Sequence, residues 1–358
     1  MIRVTPDKYR QLGDATGCDF VLLTNSSIID SFEFAKECGY VSCSKHACNT
    51  EADFLSRLAP DARVRPTHYL VISPDVLFKS PPPELLGVDS KVLVMPCNST
   101  PLDIDSIGHF LQCMVTSDPD AQQVWADRFF RAAEVSSRLT LSDARHGTQA
   151  TFQHMNDEYE WFEQLGMLDW GSQQFAPAGE ISVLPMFHGN YDAKSRLDIN
   201  GTIAFHGFPI VNSGTPSFLR GDQEKIYSML EEIEHAPLIA EVENGVITAV
   251  SSEQDTAALK IIESLFMVDS RYRIIWELGI GSHTGLENKR GNFAPNESFG
   301  GVNGSVHFGL GLTPWTQYHI DIVCPGISVA TDSGVVIAGP SPNGMMQRTR
   351  TAGCPCIS

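Results

Sequence analysis

Positive charge is scarce in this chain. Its 358 residues hold 25 Lys and Arg against 43 Asp and Glu, a formal net charge of -18. A nucleic-acid binder needs clustered cations to neutralise phosphates, so the balance argues against a general nucleic-acid binder. The balance suits a protein that handles neutral or cationic ligands. Long apolar runs are also missing. None approaches the ~18–20 residues that span a bilayer, which argues against a membrane protein. The opening Met1-Ile2-Arg3-Val4-Thr5-Pro6-Asp7-Lys8 has no apolar signal core, so a cytoplasmic location is expected. No G-x-G-x-x-G or Walker sequence follows a predicted strand, which argues against a nucleotide site. The nine cysteines are odd in number and scattered, unlike a secreted disulfide framework. Repeats, heptads and long low-complexity tracts are absent.

What remains is an ordinary globular composition, 42% hydrophobic and 19% charged, with length for one large domain or two. Residues 19–25, 68–73 and 91–95 are short apolar runs stopped by Pro, Asn or Ser, and each predicts a strand. Helical spacing lies between them, at Ile28, Ile29, Phe32 and Ala35. It recurs at Val124, Trp125, Phe129 and Ala132, where Ser117-Asp118-Pro119 is a start signal. Strands alternating with helices predict an α/β layer with mostly parallel strands.

The texture changes after about residue 175. Asn200-Gly201, Asn244-Gly245 and Asp332-Ser333-Gly334 are turn signals, and residues 241–250 form the clearest hairpin. One helix follows, with Leu259, Ile262, Leu265 and Phe266 on a face. The expected fold class is an α/β N-terminal domain over residues 1–175, then an α+β domain rich in antiparallel sheet over 176–358. The boundary falls between 175 and 240. The tail from about 341 reads as irregular.

The chemistry gathers late in the chain. Glu277-Leu278-Gly279-Ile280-Gly281 is followed by a Gly- and Asn-rich segment with Glu287 and Glu297. Next come Ser305-Val306-His307-Phe308-Gly309-Leu310-Gly311 and Tyr318-His319-Ile320-Asp321-Ile322-Val323. In a strand, residues i and i+2 share a face. His319 and Asp321 therefore project together, while Ile320 and Ile322 turn to the other side. Val306 and Phe308 flank His307 in the same way. Eleven residues separate His307 from His319, so adjacent strands bring the three together. Glu277, His307, His319 and Asp321 are a donor set for Zn, Fe, Mn or Co. The same residues without a metal would form a hydrogen-bonded core or rim pair.

These strings resemble the metal-binding half of the aminopeptidase T family of metallopeptidases and the related 2,5-dihydroxypyridine dioxygenases. Pro177-Ala178-Gly179-Glu180, followed by Pro185, is similar to that family's P-x-G-E segment. The resemblance covers about residues 175–340. It implies an aminopeptidase T-like fold and a mononuclear or dinuclear divalent-metal site held by Glu277, His307, His319 and Asp321. It makes Glu297 the intervening carboxylate and general base. It implies a peptide partner, either a substrate to hydrolyse or tailor, or a precursor peptide as in crocagin-type ribosomal-peptide biosynthesis. A homodimer is the candidate assembly. Two departures stand out: Pro314 replaces a Tyr seven residues after the first His, and the segment between the His motifs is short. Ring cleavage by an Fe(II) dioxygenase, or peptide binding without catalysis, are the alternatives.

Other features weigh less. Cys43, His46 and Cys48 lie close in sequence but lack a second pair at zinc-finger spacing. Cys354-Pro-Cys356 reads as tail. His188 and His206 are surface, core or cleft residues near the domain junction. Trp276 reads as a packing residue, and Trp315 as packing or as the cap of a substrate pocket.

Overall fold

The computed structural model describes residues 1–36, 38–76, 78–99, 103–186, 195–312 and 315–340. Their fold is mixed α/β, with antiparallel pairing predominating.

Five strands form a parallel sheet in the order Ser172–Phe175, Ser90–Val94, Thr67–Ile72, Asp19–Thr24, Ser42–Ala47. The three apolar runs expected as strands supply its centre. Leu70, Ile72 and Leu93 pack against Ile107, Phe110 and Met114 of helix Ile104–Thr116. Tyr69, Val71, Val92 and Val94 pack on the other face against Phe54 and Leu58 of helix Glu51–Leu58. Burial on both faces is why these strands read as unbroken apolar runs. Asp118 caps helix Pro119–Ala133 by accepting the Ala121 N–H at 3.1 Å, as its start signal predicted.

A six-stranded antiparallel sheet carries the late motifs. Its strands, in chain order, are β1 (Tyr159–Gln164), β2 (Glu180–Pro185), β3 (Phe208–Ser213), β4 (Ile275–Gly281), β5 (Ser305–Leu310) and β6 (Tyr318–Cys324). Their spatial order is β3-β6-β5-β4-β2-β1. A seven-stranded sheet runs Val246–Ser251, Leu238–Glu243, Ile199–Phe205, Thr148–Phe152, Leu139–Asp143, Ser328–Thr331, Val336–Ala338. One core joins the two sheets. Leu278, Ile280, Val306, Phe308, Ile320 and Ile322 share it with Leu141, Phe152, Ile203, Phe205 and Ala240.

Antiparallel strands begin at Leu139, well ahead of the change in texture near residue 175. Between 139 and 185 the chain visits all three large sheets. Strand partners are chosen by long-range packing, which local texture does not report.

Two local expectations are corrected. The helical spacing at Ile28–Ala35 yields only a 3-10 turn at Ile29–Ser31. It then becomes strand Phe32–Phe34, paired in parallel with Ile2–Val4. Phe32 is buried there and Phe34 meets Phe20 edge-on at 6.0 Å, so tertiary burial overrides a short periodic pattern. Asn200-Gly201 is no turn but lies inside strand Ile199–Phe205. Its Asn200 Oδ1 accepts the Asn244 N–H at 2.8 Å, tying this strand to the hairpin turn beside it. That hairpin, Leu238–Glu243 with Val246–Ser251, turns at Asn244-Gly245 with φ of 50° and 72°, as its sequence predicted. Helix Ala257–Val268 buries Ile262, Leu265 and Phe266. No helix among the described residues is long and apolar enough to cross a membrane.

Candidate metal centre

Alternation along the strands builds the site. Leu278 and Ile280, Val306 and Phe308, and Ile320 and Ile322 enter the core. The residues between them face the other way: Glu277 and Gly279, His307 and Gly309, His319 and Asp321. Register aligns them across the sheet, with Glu277 opposite Gly309, Gly309 opposite Asp321, and Gly279 opposite His307. Strand β2 adds Glu180 and β3 adds Asn212 on the flanks. Glu297 arrives from a 3-10 turn, Ala294–Ser298.

The donors fall into two triads. Glu180, Glu277 and His307 form one, and Glu277, His319 and Asp321 the other. Within each, the ligand atoms lie within 4.8 Å of one another. His307 Nε2 is 3.2 Å from Glu180 Oε1 and 4.0 Å from Glu277 Oε1. His319 Nε2 is 2.9 Å from Asp321 Oδ1 and 3.5 Å from Glu277 Oε2. Glu277 thus offers one oxygen to each triad. The four residues expected to form one set are present on one face, divided into two groups that Glu277 joins.

Electrostatics make this face costly by itself. Four carboxyl groups and two imidazoles share a largely buried patch, where like charges repel and desolvation penalises each ion. Burial opposes protonation of His307, but Glu180 and then Glu277 and Asp321 outweigh it, holding the imidazole at about 9. His319 is held well above its ordinary range against the same penalty, by Asp321 and Glu277. Burial, reinforced by Asp321, Glu180 and Glu277, pushes Glu297 well above the carboxylate range. Burial likewise raises Glu180.

Three observations fit this face to divalent cations. Asp321 Oδ1 is buried and has no aligned hydrogen-bond donor, although His319 Nε2 is 2.9 Å away. His319 Nδ1 donates to the Gly311 carbonyl at 2.8 Å, which fixes the ring and presents Nε2. The glycines make the room. A Cβ on Gly279 would overlap the His307 ring, and one on Gly309 would lie 2.8 Å from Glu277 Cβ and 2.9 Å from His319 Cε1. Oxygen and imidazole donors of this kind suit Zn, Fe, Mn or Co.

Glu297 sits over the second triad. Asn212 Nδ2 donates to Glu297 Oε1 at 3.3 Å and to Asp321 Oδ2 at 3.1 Å. A cleft of about 570 Å³ opens here, lined by Glu180, Asn212, Glu297 and His319, with Phe78, Phe175 and Phe218 among its apolar walls.

Sequence reading left Glu180 out of the candidate donor set, although it stands in the P-x-G-E segment. A Glu heading an otherwise apolar strand was the signal. Gly279 and Gly309 were also passed over. Each lies two residues after a donor on the same face, which marks a place where a side chain would intrude. Asn212 left no local signal. Trp315 packs with Trp276 and Leu312 in a separate cluster and does not cap the cleft. Cys43 lies beside Cys38 while Cys48 is buried, and Cys43, His46 and Cys48 are not among the donor groups brought together in the described residues. His188, Pro314, Cys354 and Cys356 lie outside the described residues.

No protein-family model matches this chain, and no curated protein matches it. Among solved structures, it is similar to 2,5-dihydroxypyridine dioxygenase from Pseudomonas putida KT2440. The TM-score is 0.52 at 15% identity, covering 94% of this chain and 96% of that one. It is also similar to AmpT from Thermus thermophilus, with a TM-score of 0.44 at 12% identity, covering 92% and 95%. The likeness to the dioxygenase is one of fold.

Proposed function

We propose that this protein is a two-metal hydrolase directed at a peptide or a peptide-like amide. The observation that carries the reading is Glu277, shared by two donor triads beside a cleft that also holds Glu297. Glu180, Glu277 and His307 would hold one divalent ion, and Glu277, His319 and Asp321 a second. Such ions polarise a carbonyl and lower the pKa of water. The chain does the rest. With cations balancing the neighbouring carboxylates that otherwise hold it protonated, Glu297 would be the group that accepts a proton from the attacking water and returns it to the departing amine. Asn212 holds the Glu297 carboxylate in place. The apolar walls of the cleft take up a substrate side chain and exclude bulk water. The sequence resemblance to aminopeptidase T, and to crocagin-type peptide binders, supports a peptide as the occupant.

The test is metal content by mass spectrometry, followed by cleavage of a peptide library by protein loaded in turn with Zn, Mn, Co and Fe. The expected result is cleavage that chelation abolishes. Glu297→Gln should lose turnover while keeping its metal. Peptide binding that survives chelation, with no cleavage in any loaded form, would leave a binding protein instead.

A second reading has one observation behind it. His307 and His319 both approach Glu277, at 4.0 and 3.5 Å, and two His with one carboxylate suit Fe(II). The similar fold named above is a dioxygenase. Oxygen uptake by anaerobically iron-loaded protein on dihydroxypyridines would establish that reading, and its absence would remove it.

A further inference from the structure

The seven-stranded sheet carries another group of donors that shares no residue with the site above. Asp143 ends strand Leu139–Asp143, His146 lies in the turn that follows, and His206 links strand Ile199–Phe205 to β3. Asp143 is buried at 3% exposure and His206 at 4%. Asp143 Oδ1 accepts the backbone N–H of Arg145 at 2.8 Å and of His146 at 3.3 Å. That turn fixes the carboxylate and turns Oδ2 toward the imidazoles, where it accepts a hydrogen bond from His146 Nδ1. His146 Nδ1 stands 2.8 Å from Oδ2 and His206 Nε2 stands 2.9 Å from it. The two rings are 4.7 Å apart, tilted by 44°.

His206 supplies the independent observation. Its Nε2 is buried and has no aligned hydrogen-bond partner, even with Asp143 Oδ2 so near. All three donor atoms lie within 4.8 Å of one another. Nitrogen, nitrogen and oxygen, with a fourth position for water, make a tetrahedral zinc-type shell.

We propose that Asp143, His146 and His206 bind a further divalent transition cation of the zinc class. The ion pins the Leu139–Phe152 hairpin to the segment that crosses into the six-stranded sheet. The His146 side chain, 16% exposed, gives the ion a route from solvent. The site stands whether or not the first one binds metal.

The test uses full-length protein carrying Glu277→Ala and Asp321→Ala, which disable the first site. It is stripped of metal, loaded with Zn²⁺ or Co²⁺, desalted and assayed for metal per chain. Expected is retention of about one equivalent, with the visible absorption of tetrahedral Co²⁺. Adding His146→Gln or His206→Gln should abolish both. If His206→Gln fails to fold, His146→Gln, at the partly exposed position, decides. A folded background protein that binds no metal overturns the proposal. So does metal binding unchanged by His146→Gln. A chain without these substitutions that holds one equivalent, lost in His206→Gln but not in Glu277→Ala, would sink the two-metal reading and uphold this one.

Discussion

His68 and His307 are both buried on strands, yet their protons behave in opposite ways. His68 lies in the parallel sheet. Its Nδ1 meets the Tyr40 hydroxyl at 2.9 Å, and its ring lies 5.0 Å from Trp170. Burial, helped by Lys91, drives it down to about 4. His307 is as deeply buried in the antiparallel sheet, but Glu180, Glu277 and Asp321 surround it and hold it at about 9. Burial alone neutralises an imidazole; only a surplus of carboxylates reverses the sign. The parallel sheet is covered by helices on both faces and has no place for such a surplus. The antiparallel sheet buries one face in the core and gives the other to chemistry.

The contrast can be broken most sharply at Glu277. Glu277→Gln should empty both triads and lower kcat/KM well beyond the ~10–100-fold that follows loss of a group merely supporting a ligand. Metal content and peptide cleavage, measured together, check this. A variant that keeps two metals would refute the sharing of Glu277.

His68 tests the other side. The unfolded imidazole titrates near its ordinary ~6.5, so below that pH the unfolded chain takes up a proton that the folded chain refuses until about 4. Stability is therefore full above ~6.5 and falls as pH drops towards 4, by up to about 3 kcal/mol from this group. Urea denaturation at pH 7 and pH 4.5 should show a smaller loss in His68→Gln. An equal loss in both proteins would mean His68 is not held neutral.

Gly279→Ala removes no ligand, yet its Cβ would overlap the His307 ring. We expect destabilisation of ~1–3 kcal/mol, as for an overpacked core, and loss of the ion held by His307. Full metal content in this variant would show that the sheet yields there. The smallest effect belongs to Asn212→Ala. Losing its hydrogen bond to Glu297 should move the acidic limb of the kcat/KM profile upward by no more than about one pH unit, measured at saturating metal because Asn212 also donates to Asp321. An unmoved limb would detach Asn212 from the proton-transfer step.

Much of this protein is written in local pattern. The strands at 67–72 and 90–94 were legible because each is buried on both faces. Helix Pro119–Ala133 was legible because Asp118 and Pro119 announce it. The Asn244-Gly245 hairpin was legible because both residues take positive φ. That His319 and Asp321 share a face follows from the two-residue period of a strand, and the same period sends Ile320 and Ile322 into the core. These features depend on neighbours in the chain, so residue order suffices to state them.

Pairing across the fold is a different matter. Nothing near Phe32 announces that Ile2–Val4 will recruit it into a strand. Nothing near Asn200 announces that Asn244 will hold it inside one. The division of the donors into two triads depended on β2 lying beside β4, which places Glu180 next to His307 across 127 residues of chain. The room for those donors depended on glycines one strand away, opposite His307 and Asp321. The Asp143, His146 and His206 group likewise exists only because a turn and a crossover meet. Such contacts are set by which buried surfaces fit together, and their energy is not contained in any one stretch of sequence.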